Sequence, residues 1–82
     1  MAKLRFTLTA GALYRRTIRK HLQNAKSDIE FSCEKAHVEI QENKTLVDSD
    51  FLFLVTDLTD LEALALKKSF EEYFAKLKDA IA

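Results

Sequence analysis

Glycine and proline are almost absent from this chain, with one glycine and no proline among 82 residues. Tight turns with positive φ angles need glycine or asparagine, and proline marks many loops, so this composition argues against a loop-rich fold. Hydrophobic residues make up 48% of the chain and charged residues 32%, a profile typical of an ordered globular protein. A chain of this length has room for one domain, and we predict a single α+β domain over residues 1–82.

The spacing of apolar residues predicts the elements of the first half. Leu4, Phe6 and Leu8 alternate with polar residues, as in a strand with one buried face. After Gly11, apolar residues at helical spacing predict an amphipathic helix of about 14 residues. Ser27-Asp28 is interpreted as a turn, and alternation over residues 29–33 predicts a second strand that resumes out of phase at residues 38–40. The sequence leaves open whether residues 35–37 form a bulge or a turn.

The second half is predicted to contain a hairpin and a long helix. Residues 42–44 are the best local hairpin turn, and residues 51–55 form a continuous apolar run that we predict to be a strand. An additional strand around residues 45–48 is optional. The resulting order, β-α-β-β-α, predicts a two-layer sandwich with an antiparallel sheet of three or four strands and both helices on one face.

The start of the last helix carries capping chemistry. Thr59 and Glu62 have the spacing of a capping box, and Asp60 would complement the positive end of the helix dipole. Asp57 is also interpreted as a capping residue. The helix is predicted to run to about Ile81.

Some leucines exceed what such a sandwich can bury by itself. If one side of the 51–55 strand faces the helices, its two leucines point to the opposite side of the sheet, where this chain has no further helix. The first turns of the last helix are likewise apolar almost all round. Exposed apolar surface often marks an interface, and a twofold dimer is the commonest way to bury it. The predicted interface residues are Leu52, Leu54, Leu58, Leu61 and Leu64. The alternative is a self-sufficient monomer in which a loop and the N-terminal segment cover these residues.

Charge is distributed very unevenly along the chain. The first 26 residues carry seven basic side chains and no acidic one, and all 13 acidic residues lie after residue 27. On the first helix, Arg15, Arg16, Arg19 and Lys20 cover an arc of about 140°, with like charges four residues apart. We predict that this basic arc binds an anionic partner, and three alternatives remain open. They are a nucleic-acid backbone, an acidic protein, and the chain's own acids Glu39, Glu42, Asp48 and Asp50.

No group of residues predicts catalysis or metal binding. Cys33 is the one cysteine, which excludes an internal disulfide, and with His21 and His37 it leaves too few ligands for a structural zinc site. The Asp-Ser-Asp sequence at residues 48–50 lacks the later glycine and glutamate of a calcium loop. Phosphate-binding loops, nucleophile elbows and dinucleotide fingerprints are absent from the sequence. We therefore predict that the protein is not an enzyme and expect no cofactor.

These features together predict a non-enzymatic interaction module. We expect a homodimer that docks on another protein through the leucine surface and the basic helix face. The alternative is a domain that binds the RNA or DNA backbone through the basic first helix, although the calculated pI of 6.7 is low for a dedicated binder. No segment has the roughly 18–20 apolar residues of a membrane span or the apolar segment of a signal peptide. We expect a cytoplasmic location, no membrane partner and no small-molecule substrate.

Two short segments show a slight similarity to a known family. The order β-α-β-β-α, residues 27–31 (Ser-Asp-Ile-Glu-Phe), and residues 54–57 (Leu-Val-Thr-Asp) leading into the last helix resemble the small dimerising subunit of the KEOPS tRNA-modifying complex. The resemblance implies a dimer docked on a catalytic subunit. The stretch between the two segments is longer here and the apolar phase of the last helix differs, so no residue roles are carried over.

Overall fold

The computed structural model of the protein describes residues 1–81. Its elements, in chain order, are β1 (Ala2–Gly11), a 3-10 turn (Ala12–Tyr14), α1 (Arg15–Ser32), β2 (His37–Lys44), β3 (Asp48–Leu58) and α2 (Asp60–Ile81). The three strands form one antiparallel sheet in the order β1-β3-β2. The predicted α+β class and the order β-α-β-β-α are confirmed, with three strands in the sheet.

Both helices pack on the same face of the sheet. Helix α1 lies mainly against β2, and α2 lies mainly against β1. The core between the layers is rich in aromatic rings, and Phe53 of the central strand is fully buried within it. Its ring centroid lies 6.0 Å from that of Phe70 and 5.7 Å from that of Phe74. Phe6 of β1 stacks on Phe74 at 5.0 Å, so a few rings join α2 to two strands.

Helix α1 is longer than the sequence predicts. The turn at Ser27-Asp28 and the strand over residues 29–33 were wrong, because the helix continues to Ser32. Ile29 and Cys33 follow Ala25 at intervals of four and extend the buried side of the helix, and all three are buried. The alternation that suggested a strand is broken by Phe31, which lies on the outer side. The chain then reverses in a turn, closed by a 3.0 Å hydrogen bond from the Ala36 amide to the Cys33 carbonyl, so residues 35–37 are not a bulge.

The hairpin between β2 and β3 turns at residues 45–47, later than the predicted turn at residues 42–44. Residues 45–47 form this loop, so the optional extra strand at 45–48 was also wrong. Thr45 closes the loop. Its amide donates to the Asp48 carbonyl at 2.8 Å, its hydroxyl donates to the Asp48 carboxylate at 2.8 Å, and the Asp48 amide donates to that hydroxyl at 3.0 Å.

The start of α2 forms the predicted capping box. The Thr59 amide donates to the Glu62 carboxylate at 2.9 Å, and the Glu62 amide donates to the Thr59 hydroxyl at 3.1 Å. Asp57 has a different role, since its φ of 60° is in the left-handed region. It lies in a β-bulge, where the pairing with β1 shifts by one residue between Leu4 and Ala2.

Candidate interaction surfaces

The sheet has one face that the helices do not cover. Leu52 and Leu54 lie on this face along the central strand β3, and both are half-buried by their neighbours. The strand register places Leu54 between Arg5 of β1 and Glu39 of β2. We call this surface the open sheet face, and it consists of Leu52 and Leu54 flanked by Arg5, Thr7, Glu39 and Gln41. It is a narrow apolar stripe with a basic residue on one side and an acidic residue on the other.

A second apolar surface lies on the outside of the helix layer. Leu61 and Leu64 are largely exposed, and at about 100° per residue they point away from the side of α2 that carries Phe70 and Phe74 into the core. Phe31 is almost fully exposed on the outside of α1, near the point where α1 ends and α2 begins. Phe31, Leu61 and Leu64 are called the helix-layer residues below. Phe31 was missed as a surface residue because residues 29–33 were read as a strand.

Leu58 was predicted to belong to the interface, but it is completely buried. The reason is the bulge at Thr56-Asp57. In a regular strand Leu58 would share a face with Leu52 and Leu54, and one extra residue returns it to the helix-covered face. The four other predicted leucines separate into two surfaces on opposite sides of the domain, one on the sheet and one on the helix layer.

Two residues of the basic arc contact the β2–β3 hairpin. Arg19 pairs with Glu42 through two hydrogen bonds, Nε to Oε1 at 2.5 Å and Nη2 to Oε2 at 2.9 Å. The hydroxyl of Ser49, which is completely buried, also donates to Glu42 Oε2 at 2.9 Å. Hydrogen bonding from Arg19 lowers the pKa of Glu42 from 4.5 to about 2, against the opposing effect of burial, and Ser49 assists. This pair fixes α1 to β2.

Arg15 makes a separate contact with the same hairpin. Its Nη2 donates to the carbonyl oxygens of Thr45 and Asp48, the latter at 2.7 Å. Arg16 and Lys20 are exposed instead, and within residues 1–81 their side chains form no hydrogen bond or ion pair with the protein. The basic arc is therefore divided. Arg15 and Arg19 bond to other residues of the domain, whereas Arg16 and Lys20 remain accessible to a partner.

A shallow cleft of about 200 Å³ lies between the two helices. His21 and Tyr73 meet across it, with 3.2 Å between Nδ1 and the phenolic oxygen. Burial, with a smaller effect of the Asp28 carboxylate, raises the pKa of Tyr73. The hydrogen bond between the Tyr73 hydroxyl and the His21 ring, whose direction is set by the His21 tautomer, joins the two helices.

The remaining candidates for chemistry are the Cys33 thiol and the possible metal ligands. Cys33 is buried, and burial together with the neighbouring Glu62 carboxylate raises the pKa of its thiol, which disfavours the reactive thiolate. Within residues 1–81, no three His, Cys, Asp or Glu side chains are grouped so that they could hold a metal ion. None of the helices over these residues is long and apolar enough to cross a membrane.

Comparisons with protein-family models, with curated proteins and with solved structures found no match to this chain.

Proposed function

We propose that this protein is a non-enzymatic interaction module that forms a homodimer and docks on another macromolecule. The observation that carries the proposal is the open sheet face. Leu52 and Leu54 lie at the centre of a sheet whose other face is fully packed, and no element within residues 1–81 covers them. A second copy of the same face offers the same leucine pair and buries both.

The charges beside Leu54 support a particular twofold arrangement. Consider two sheets stacked face to face, with the twofold axis between them and parallel to β3. Each β1 then lies over β2 of the other copy, so that Arg5 meets Glu39 of the second copy at the level of Leu54. Opposite charges on both sides of Leu54 favour this pairing, and a like-charge arrangement would be unfavourable.

The helix layer remains accessible in such a dimer because it lies on the other side of each sheet. We assign docking of a second protein to the helix-layer residues Phe31, Leu61 and Leu64. The exposed half of the basic arc, Arg16 and Lys20, is assigned to an anionic partner. A nucleic-acid backbone is the second candidate for that partner, supported by the exposure of these two cations without an acidic neighbour bound to them.

A charge swap tests the dimer. R5E and E39R each place like charges across the proposed interface, and each should raise the dimer dissociation constant. The double variant R5E/E39R restores opposite charges and should regain most of the wild-type affinity. L61Q, on the far side of the domain, serves as the control and should leave the dissociation constant unchanged. Sedimentation equilibrium of all five proteins measures these effects, and a double variant as weak as the single ones argues against this arrangement.

The anionic-partner assignment has its own test. R16A/K20A should weaken binding to an anionic partner and reduce its salt dependence, since two charge contacts are removed. R16K/K20R keeps both charges and serves as the control. If R16A/K20A binds polyanions such as RNA as tightly as the wild type, the exposed half of the arc is not the binding surface.

A further inference from the structure

Four apolar residues lie at the end of the domain where β1 leads into α1 and β2 turns into β3. Leu13 and Tyr14 belong to the 3-10 turn, and Leu46 and Val47 belong to the hairpin loop. Leu13 is 92% exposed, Leu46 98% and Val47 73%. The two segments adjoin, because the Ala12 amide donates to the Val47 carbonyl at 3.0 Å. We call these four residues the apolar tip.

Hydrogen bonds hold the apolar tip in place. Arg15 of α1 donates to the carbonyls of Thr45 and Asp48 on the two sides of the hairpin loop. Thr45 and Asp48 also bond to each other through side chain and backbone. The exposed apolar side chains are thus presented by two turns with a fixed backbone, so little backbone conformational entropy is lost when they bind a partner.

The surroundings of the apolar tip are basic. Residues 11–20 and 42–50 lie at this end of the domain and carry five basic and three acidic side chains, and Lys78 of α2 lies near Thr7 and Thr9 of β1. All three acids accept hydrogen bonds from other residues of the domain. Arg16, Lys20 and Lys44 are exposed. Three exposed cations therefore lie at the same end of the domain as the exposed apolar side chains.

We propose that the apolar tip inserts into the surface of an anionic lipid bilayer while Arg16, Lys20 and Lys44 contact the headgroups. A nucleic acid would complement the cations but leave Leu13, Leu46 and Val47 in water. Two projecting turns offer a protein partner little flat area, whereas a bilayer has anionic headgroups directly above an apolar layer. Surface insertion requires no membrane-spanning helix, but it departs from the expectation, drawn from the sequence, of no membrane partner. The apolar tip is not visible in the sequence because Leu13 and Leu46 are distant in the chain.

This inference rests on the proposed assignment of Arg16 and Lys20 to an anionic partner, and it does not depend on the homodimer. Co-sedimentation with lipid vesicles tests it. The wild type should bind vesicles that contain phosphatidylserine and not vesicles of phosphatidylcholine alone. R16A/K20A should bind the anionic vesicles about 25-fold more weakly, because each basic residue near such a surface contributes about fivefold.

Matched leucine variants separate insertion from simple charge attraction. L46E/V47E changes two exposed residues outside the core and should weaken vesicle binding by about tenfold or more. L61E/L64E makes the same kind of change on the helix layer and should bind like the wild type. L46W adds the one tryptophan to a chain that has none, and its emission should shift to the blue on anionic vesicles. Thermal melts establish that each variant is folded.

The proposal is overturned by equal binding to neutral and anionic vesicles, by wild-type binding of L46E/V47E, or by unchanged L46W emission on anionic vesicles. Binding to RNA or to an acidic polypeptide without binding to vesicles also overturns it, while it leaves Arg16 and Lys20 as an anionic-partner surface. The apolar tip lies outside the open sheet face. The mass of the protein in solution therefore tests the homodimer independently of vesicle binding. Failure of the membrane proposal and failure of the homodimer therefore give different results.

Discussion

Replacement of Glu42 by glutamine removes the charge that fixes α1 to the hairpin. In the folded protein the Glu42 pKa is lowered from 4.5 to about 2, chiefly by the hydrogen bond from Arg19. Without solvent screening, a pKa difference of this size corresponds to about 3 kcal/mol of folding stability. The Arg19 side chain is 42% exposed and that of Glu42 is 14% exposed, so solvent screens the pair. We therefore expect E42Q to lower the free energy of unfolding at neutral pH by about 1–2 kcal/mol.

The effect of E42Q should depend on pH in a defined direction. The folded pKa lies below the unfolded value, so the ionised carboxylate stabilises the folded state. This contribution is complete above about pH 5 and is lost as the pH falls towards about 2. Glutamine does not titrate. The difference in unfolding free energy between the wild type and E42Q should therefore shrink steadily over this range.

Urea unfolding followed by circular dichroism, at several pH values and low ionic strength, measures this difference. E72Q, which removes an exposed carboxylate on α2, is the control and should have a smaller effect at neutral pH. A deficit for E42Q that is as large at pH 3 as at pH 7 contradicts the role of the ionised carboxylate. Equal stability of E42Q and the wild type at neutral pH would mean that Arg19 is not held by Glu42, and the whole basic arc would then be accessible to a partner.

Four further substitutions test the fold, each measured by chemical unfolding. T59A removes one half of the capping box and should destabilise by about 1 kcal/mol, whereas T59S should behave like the wild type. F53A leaves a cavity between β3 and the rings of α2 and should cost about 3–5 kcal/mol; a loss below about 1 kcal/mol would contradict its central position. D57V forces a β-branched residue to a positive φ and should cost about 1–2 kcal/mol, while D57G should be neutral or stabilising. S49A removes a buried donor to Glu42 and should cost about 1 kcal/mol, and no loss would argue against that hydrogen bond.

Local patterns in the sequence were sufficient to predict β1, β3 and α2. Leu4, Phe6 and Leu8 alternate with polar residues at the period of two that is typical of a strand. Thr59 with Glu62 marks the start of α2. Residues 29–33 fit both a strand and a helix over so short a window. What decides between them is the continuation of the α1 stripe from Ala25 to Cys33, which becomes visible only when the whole helix is considered.

The proposed interaction surfaces depend on contacts between distant parts of the chain. Leu58 was counted among the first turns of the last helix, but it is the last residue of β3, and a bulge of one residue turns it to the face that the helices cover. The sequence showed that acids could neutralise the basic arc, but it could not show that Glu42 binds Arg19, since β2 had to be placed beside α1 first. For the same reason, nothing in the sequence indicated that Leu13 and Leu46 lie at the same end of the domain.

The mass of the protein in solution tests the central claim most directly. Sedimentation equilibrium over a wide concentration range should give a species of twice the 9.4 kDa chain mass. R5E and E39R should shift this equilibrium towards the single chain, and R5E/E39R should restore the dimer. A wild-type protein that stays at 9.4 kDa at the highest concentrations would contradict the proposal that the open sheet face joins two copies of this chain.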